Sequence, residues 1–323
     1  MHEQESYSIN WMCKTLNISR TSYYKWLNRK IPAKELEDME IAEKIKEYHE
    51  RYAGILGYRR MTIFLNRREG TDYRPKRIRR IMGILGIHSS IRRVRKCCTV
   101  SNKKDPKADN LLKRNFEASA PNEKWTTDVT EFKIPGESSK LYLSAFMDLY
   151  DRSVVTWAVS EHNDNLLVFD TFRQAVAANP DAHPLFHSDR GFQYTSPKFR
   201  NILSEQAMTQ SMSRVACCID NGPQEAFWGI IKTEMPKLFE YHDRDSLIEA
   251  IGKYINFYNN ERYQERYDSK TPMEVRTEAL QADAPKLYPI PINRRIQNYK
   301  QHLAELNASK DPTGSIPIGQ ALL

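Results

Sequence analysis

Between Lys124 and Ser160 the chain carries three runs rich in β-branched and aromatic residues, Lys124–Lys133, Lys140–Asp148 and Ser153–Ser160. Pro135-Gly136 and Tyr150-Asp151-Arg152 separate them. Runs of this make-up, cut by turn residues, read as antiparallel strands. The pattern then alternates. A helix is predicted over 166–178, ended by Asn179-Pro180, then a short apolar strand over 184–188, a helix over 197–206, a strand over 209–213 and a helix from about 223 to 235. Three strands followed by helix–strand alternation predict an α/β domain with a mixed sheet. A further helix is predicted over 244–262, where Leu247, Ile251, Tyr254, Ile255 and Tyr258 share a face. Beyond Thr271 the chain is rich in Pro and polar residues and shows no periodic pattern.

The front of the chain follows a different period. Trp11 to Lys30 reads as two short helices about the turn Asn17-Ile18-Ser19. This spacing suits a helix-turn-helix as well as a simple helical hairpin with a basic face. In the former, Arg20, Thr21, Ser22 and Lys25 reach base edges from the second helix. Over 34–52, Leu36, Met39, Ala42, Ile45, Tyr48 and Tyr52 recur at helical spacing. Two more helices are predicted over 59–68 and 75–85, the last with Pro75 at its start and Gly86 at its stop. The last helix turns Ile78, Ile81, Met82 and Leu85 one way and Lys76, Arg77, Arg79 and Arg80 the other. The basic run continues with Arg92, Arg93, Arg95 and Lys96. Residues 99–121 turn polar and read as a linker.

Charge follows the same division. Residues 1–120 hold 27 Lys and Arg against 14 Asp and Glu, and the remaining 203 hold 22 against 27. A basic front joined to a mildly acidic back suggests a grip for a polyanion attached to a second activity. Of the 323 residues 40% are hydrophobic and 28% charged, enough apolar content to build cores. No apolar run approaches the roughly 20 residues of a membrane span, and the start of the chain is polar and acidic. Membrane and secreted classes are therefore excluded, and the expected location is the cytoplasm. Cys97-Cys98 and Cys217-Cys218 are adjacent pairs, and with Cys13 they form neither a disulfide framework nor a C-x-x-C metal site.

Three carboxylates occupy places where an acid is costly unless it serves a chemical purpose. Asp128 lies within the first strand, Asp189 follows the short apolar strand, and Glu225 falls in the first turn of the helix opened by Asp220-Asn221-Gly222-Pro223. Each alone reads as a cap or a surface ion pair. Jointly, in this order and context, they suit hard divalent cations, which take carboxylate oxygens and support phosphoryl transfer. His187, two residues before Asp189, reads as a packed neighbour of the site rather than a ligand.

The residues around these acids carry a resemblance. Trp125-Thr126-Thr127-Asp128-Val129-Thr130-Glu131-Phe132, His187-Ser188-Asp189-Arg190-Gly191-Phe192-Gln193-Tyr194, Ser211-Met212-Ser213-Arg214, and Asp220-Asn221 with Glu225 resemble the DDE transposases of insertion sequences. More narrowly, the chain resembles the second-frame products of the two-frame group related to retroviral integrases. Phe257-Tyr258-Asn259-Asn260-Glu261-Arg262 and Thr271-Pro272-Met273-Glu274 match as well, so the likeness covers roughly 10–276. It departs at Val215-Ala216-Cys217, where relatives carry Lys-Gly-(Asn/Asp), and at Gln264, where many carry His.

The resemblance implies a multidomain fold: an all-α helix-turn-helix over 1–32, a second helical DNA-binding domain over 33–98, the linker over 99–121, an α/β ribonuclease-H-like catalytic core over 122–280 and a tail over 281–323. It implies a catalytic and metal-binding triad of Asp128, Asp189 and Glu225 with two Mg²⁺ or Mn²⁺ ions. Lys232, two helical turns beyond Glu225, is expected at the DNA end. Arg20, Lys25, Arg77, Arg80, Arg190 and Arg214 are the other expected DNA contacts. The expected partners are terminal inverted repeats, target DNA, further copies of the chain in a synaptic complex and an upstream-frame protein. The competing expectations are a ribonuclease-H-type nuclease, and a helix-turn-helix regulator with an inactive core.

Overall fold

In the computed structural model the described residues are 7–91, 110–214 and 218–290, with the single positions 298 and 301. The basic run after Ile91, Cys97, Cys98, the start of the polar stretch, Val215-Ala216-Cys217 and most of the tail lie outside them. Two compact units divide the chain, Met1–Val94 and Arg95–Leu323.

In the first unit Ser8 and Ser19 cap α1 (Ile9–Thr15) and α2 (Arg20–Leu27), each accepting a main-chain N–H from the helix it opens. Asn17, at φ 55°, makes the left-handed turn between them. Cys13 is buried, whereas Trp11, Leu16, Trp26 and Leu27 are exposed.

Next come α3 (Ala33–Arg51), α4 (Tyr58–Glu69) and α5 (Pro75–Ile84). Ile45, Tyr48, Met61, Phe64, Leu65, Ile78 and Ile81 form their core. The buried face of α3 differs from the one expected. Ile41, Ile45, Tyr48 and Tyr52 are buried, but Leu36 and Met39 are exposed. The inward stripe begins instead at Asp38, which accepts from Arg77 Nε at 2.7 Å and also bonds Arg80. An acid takes the apolar place because α5 presents two guanidinium groups there.

The second unit is built on a five-stranded sheet ordered β3-β2-β1-β4-β5. β1 (Lys124–Lys133), β2 (Lys140–Asp148) and β3 (Val154–Ser160) are antiparallel. β4 (Leu185–Ser188) and β5 (Thr209–Met212) add on in parallel. This is the mixed sheet expected. One face packs on α6 (Asn165–Ala178), the short α7 (Phe192–Thr195) and α8 (Pro197–Glu205). There Trp125, Phe146, Phe169, Phe172, Phe186 and Phe199 form the core, Phe146 meeting Phe186 edge-on at 5.1 Å. On the other side α9 (Gly222–Leu238) lies against β1 and α10 (Arg244–Asn260) against α9 and β3.

A last helix, α11 (Pro272–Gln281), packs on α10 where no periodic pattern was visible. Thr271 and Glu274 form its capping box, a signal present in the sequence. Its Arg276, nearly buried, reaches Asp148 at 3.0 Å and Asp151 at 3.1 Å, closing the β2–β3 corner. Among the described residues no helix is long and apolar enough to cross a membrane.

A second buried ion pair locks α9 to the end of α10. Arg262 donates to both oxygens of Glu234 at 2.9 Å, and Tyr254 donates to the same carboxylate at 2.9 Å. Arg262→Met leaves Glu234 as a buried charge without its cation and should cost about 3–5 kcal/mol. Urea denaturation should show that loss, and adding Glu234→Gln should return part of it.

Candidate active site

The two aspartates are brought together by strand register. β1 pairs with β4 at Lys124↔Leu185, Trp125↔Phe186 and Thr126↔His187, each a separation of 61 in sequence. Asp128 and Asp189 differ by the same 61, so Asp189, just past the end of β4, continues the register opposite Asp128. Alternation along β1 turns Trp125 and Thr127 to one face and Thr126 and Asp128 to the other. Trp125 belongs to the aromatic core, and Thr127 bonds the Tyr194 hydroxyl at 3.0 Å. Asp128 therefore faces α9. The site lies where ligands of α/β sheets are bound, toward the carboxyl end of a parallel strand.

Three side chains fasten the start of α9 to this spot. Asn221 donates to the Thr127 carbonyl at 2.9 Å, and Gln224 to the carbonyl of Ala145, opposite Asp128 in the sheet, at 3.3 Å. Trp228 donates its indole N–H to Asp128 Oδ2 at 3.1 Å. Glu225, in the first turn and exposed, stands between these anchors at the end of the helix that favours negative charge. Sequence reasoning had Asn221 only as part of a motif and missed Gln224 and Trp228, which stand one and three residues from Glu225.

Burial, and next the charge of Asp189, push the Asp128 carboxyl up to about 7, and Glu225 adds to the effect. The N–H groups of Val129 and Trp228 oppose it. Burial raises Asp189 too, while the Gly191 N–H bonds its Oδ1 at 2.8 Å. A Cβ at Gly191 would lie 3.0 Å from Asp189 Oδ1 and 2.9 Å from Gln193 Oε1, so a larger residue there would push on the carboxylate. Two half-buried carboxylates side by side form a hard-oxygen donor pair suited to a divalent cation. Among the described residues, no three His, Cys, Asp or Glu side chains gather closely enough to enclose a metal ion. The aspartates form the base of the site, and Glu225 is at its rim.

His187 is fully buried, its ring nitrogens 2.9 Å from Ser211 Oγ and 3.2 Å from Ser213 Oγ, and burial lowers it to about 4. It is a packed neighbour. Lys232 places its ammonium over the Phe132 ring at 5.6 Å, where the charges of Glu131 and Asp128 partly offset a lowering by burial.

The expected DNA contacts fall into two sets. Arg20 and Lys25 stand exposed on α2, lining a concavity with Thr21, Tyr24 and Asn28. The others are engaged within the protein. Arg77 bonds Glu37 and Asp38, Arg80 bonds Asp38, Arg190 Nε donates to the Ser213 carbonyl at 2.7 Å, and Arg214 grips Asp220. Gln264 bridges through its backbone to Lys270.

Asp220 joins the parts of this unit. Fully buried, it accepts from Arg214 Nε at 2.8 Å, Arg114 Nε at 2.6 Å and Asn110 Nδ2 at 2.8 Å. The described end of the stretch read as linker is thus fastened beside the start of α9. The Arg214 and Arg114 bonds outweigh burial and hold Asp220 far below the ordinary carboxylate range. A carboxyl so lowered contributes stability that is present above about pH 4 and lost as the pH falls. Asp220→Asn should melt below the wild type at pH 7, and thermal scans at falling pH should show the gap closing.

Similarity to known proteins agrees with this architecture. The family described as HTH-like domain matches residues 35–95, and two families, both described as Integrase core domain, match 118–218 and 225–280. The chain is 35% identical over 276 residues to the protein assigned as transposase InsK of insertion sequence element IS150 from Escherichia coli, covering 85% of this chain and 95% of that one. It is 31% identical over 252 residues to the transposase of insertion sequence element IS904 from Lactococcus lactis, covering 75% and 96%. A solved structure of the HTLV-2 integrase catalytic core domain in complex with magnesium aligns with a TM-score of 0.40 at 21% identity, over 48% of this chain and 95% of that one.

Proposed function

The chain belongs to the insertion-sequence transposases with an integrase core domain, and on that footing we propose that it cuts the ends of its element and joins the freed 3′-OH to target DNA at Asp128, Asp189 and Glu225. The observation that carries this reading is the shared offset of 61, which sets two carboxylates side by side under the helix that bears a third. Mg²⁺ or Mn²⁺, two ions per site, would supply Lewis acidity at the phosphodiester and a nucleophilic oxygen at neutral pH. Asp128 and Asp189 would hold them from the sheet and Glu225 from α9. The same three carboxylates serve both steps, first with water and then with the 3′-OH attacking phosphorus. Lys232, on the outer side of α9 near Asp128, holds the DNA end by its charge.

Recognition of the terminal repeats belongs to the basic front helices, with Arg20 and Lys25 on α2 as exposed contacts and Arg77 and Arg80 as weaker ones because acids already engage them. Bringing two ends together requires at least two copies of the chain, and the upstream-frame protein is a further partner.

Asp128→Asn, Asp189→Asn or Glu225→Gln should each reduce end cleavage and strand transfer together by more than about 100-fold, beyond the usual loss from disturbing a ligand's supporting bonds. Binding to terminal repeats should persist. Labelled terminal repeats incubated with a plasmid and Mn²⁺ report both steps, and a Glu225→Gln protein that joins ends at the wild-type rate refutes the mechanism. Cleaved ends that never join the plasmid would point to the nuclease reading instead. In binding titrations across salt concentrations, Arg20→Ala with Lys25→Ala should lower the salt slope by about 2. Arg77→Ala with Arg80→Ala should lower it less.

A further inference from the structure

Trp228 has two environments. Its ring lies inside the second unit, 7% exposed and 5.2 Å from the Phe227 ring centroid, as expected of a large apolar side chain on the inner face of α9. Its one polar atom does not end on a main-chain carbonyl. It ends on Asp128 Oδ2, at 3.1 Å. A buried indole N–H needs an acceptor, and many would serve. This one is a carboxylate oxygen at the site where charge matters most.

Counting donors on Asp128 shows what the bond does. Oδ1 accepts the Val129 N–H at 2.8 Å, and Oδ2 accepts Trp228. An ionised carboxylate offers about four lone-pair sites, so one remains on each oxygen. The two donors arrive from different elements, β1 and α9, and together they fix the carboxylate plane. An indole N–H donates only, so Trp228 cannot become a ligand or exchange its role with Asp128. Carboxylates that ligate metals are held in this way by partners behind them, and such partners contribute strongly to affinity.

We propose that Trp228 is the positioning residue of the cation site: its N–H orients Asp128 so that the free lone pair of each oxygen is turned toward the space shared with Asp189 and Glu225. The inference rests on the reading of those three acids as metal ligands. Trp228 does not touch DNA or the reacting atoms in this role. It acts through Asp128, and because it rides three residues behind Glu225 on α9, it also ties the strand that bears one ligand to the helix that bears another.

The test is Mn²⁺ binding to the full chain without DNA, followed by titration calorimetry, with thermal melting in chelator as the control for folding. Trp228→Phe keeps an aromatic ring and removes the N–H. Positioning predicts Mn²⁺ affinity about 10–100-fold weaker in Trp228→Phe even where its melting temperature matches the wild type. Packing alone predicts a loss of affinity only in step with a loss of melting temperature. A Trp228→Phe protein that melts like the wild type and binds Mn²⁺ equally well overturns the proposal.

Wild-type protein labelled with ¹⁵N at its indoles provides a measurement independent of how the variants fold. One indole N–H resonance should move on Mg²⁺ titration with the midpoint of metal binding, and a titration that moves none of them overturns the proposal too. Should Asp128→Asn bind Mn²⁺ as tightly as the wild type, the metal reading itself fails and takes this inference with it. Intact Asp128-dependent binding in Trp228→Phe removes the inference alone.

Discussion

Parallel pairing of β1 with β4 is the constraint on which the site depends. It involves only three residue pairs, yet its offset decides which two side chains of distant sequence become neighbours. A shift of one residue would turn one aspartate to the aromatic face and leave the other alone. With the observed offset, two carboxylates share one half-buried face, and burial together with the charge of Asp189 raises the proton affinity of Asp128. Much of what surrounds them compensates for that repulsion. Main-chain N–H groups of Val129 and Gly191 point at the acids, and the indole of Trp228 arrives from a helix that Asn221 and Gln224 pin to the sheet.

The parts of the fold legible in the sequence are those set by local period. The five strands and the longer helices of both units lie within a few residues of where composition and spacing put them, because burial of one face imposes that spacing directly. The stripe of α3 was misplaced for a physical reason: Asp38 occupies an inward position because Arg77 and Arg80 meet it from α5, and a pattern search that counts apolar residues passes over an acid. The helix α11 was hidden because Pro272 sits among other prolines and polar residues, and because the inward face of the helix includes Arg276, which a search for apolar periodicity passes over. Here the first opens the helix and the second is buried against two aspartates.

At the candidate site, the sequence singles out the three acids by their neighbours, since each stands in a strand or helix end with a characteristic sequence. Their support was not. Asn221, Gln224, Trp228 and Asp220 act through contacts made across 94, 79, 100 and 106 residues. Nothing in local spacing reports such distances. The expected DNA contacts show the converse. Sequence marks every arginine as a cation, but Arg77, Arg80, Arg190 and Arg214 have partners inside the protein that change how much charge each can offer.

The buried pairs Arg262–Glu234 and Arg276–Asp148 draw their cations from far along the chain. A nascent chain that has left the ribosome as far as Leu238 already holds Asp128, Asp189 and Glu225, together with all five strands. It lacks both arginines, so Glu234, Asp148 and Asp151 would have to enter the interior without their cations. Those cations come from the end of α10 and from α11, which close the frame behind the sheet. A chain ended at Leu238 would carry Asp128, Asp189 and Glu225 on a sheet whose own buried acids still lack their counter-charges.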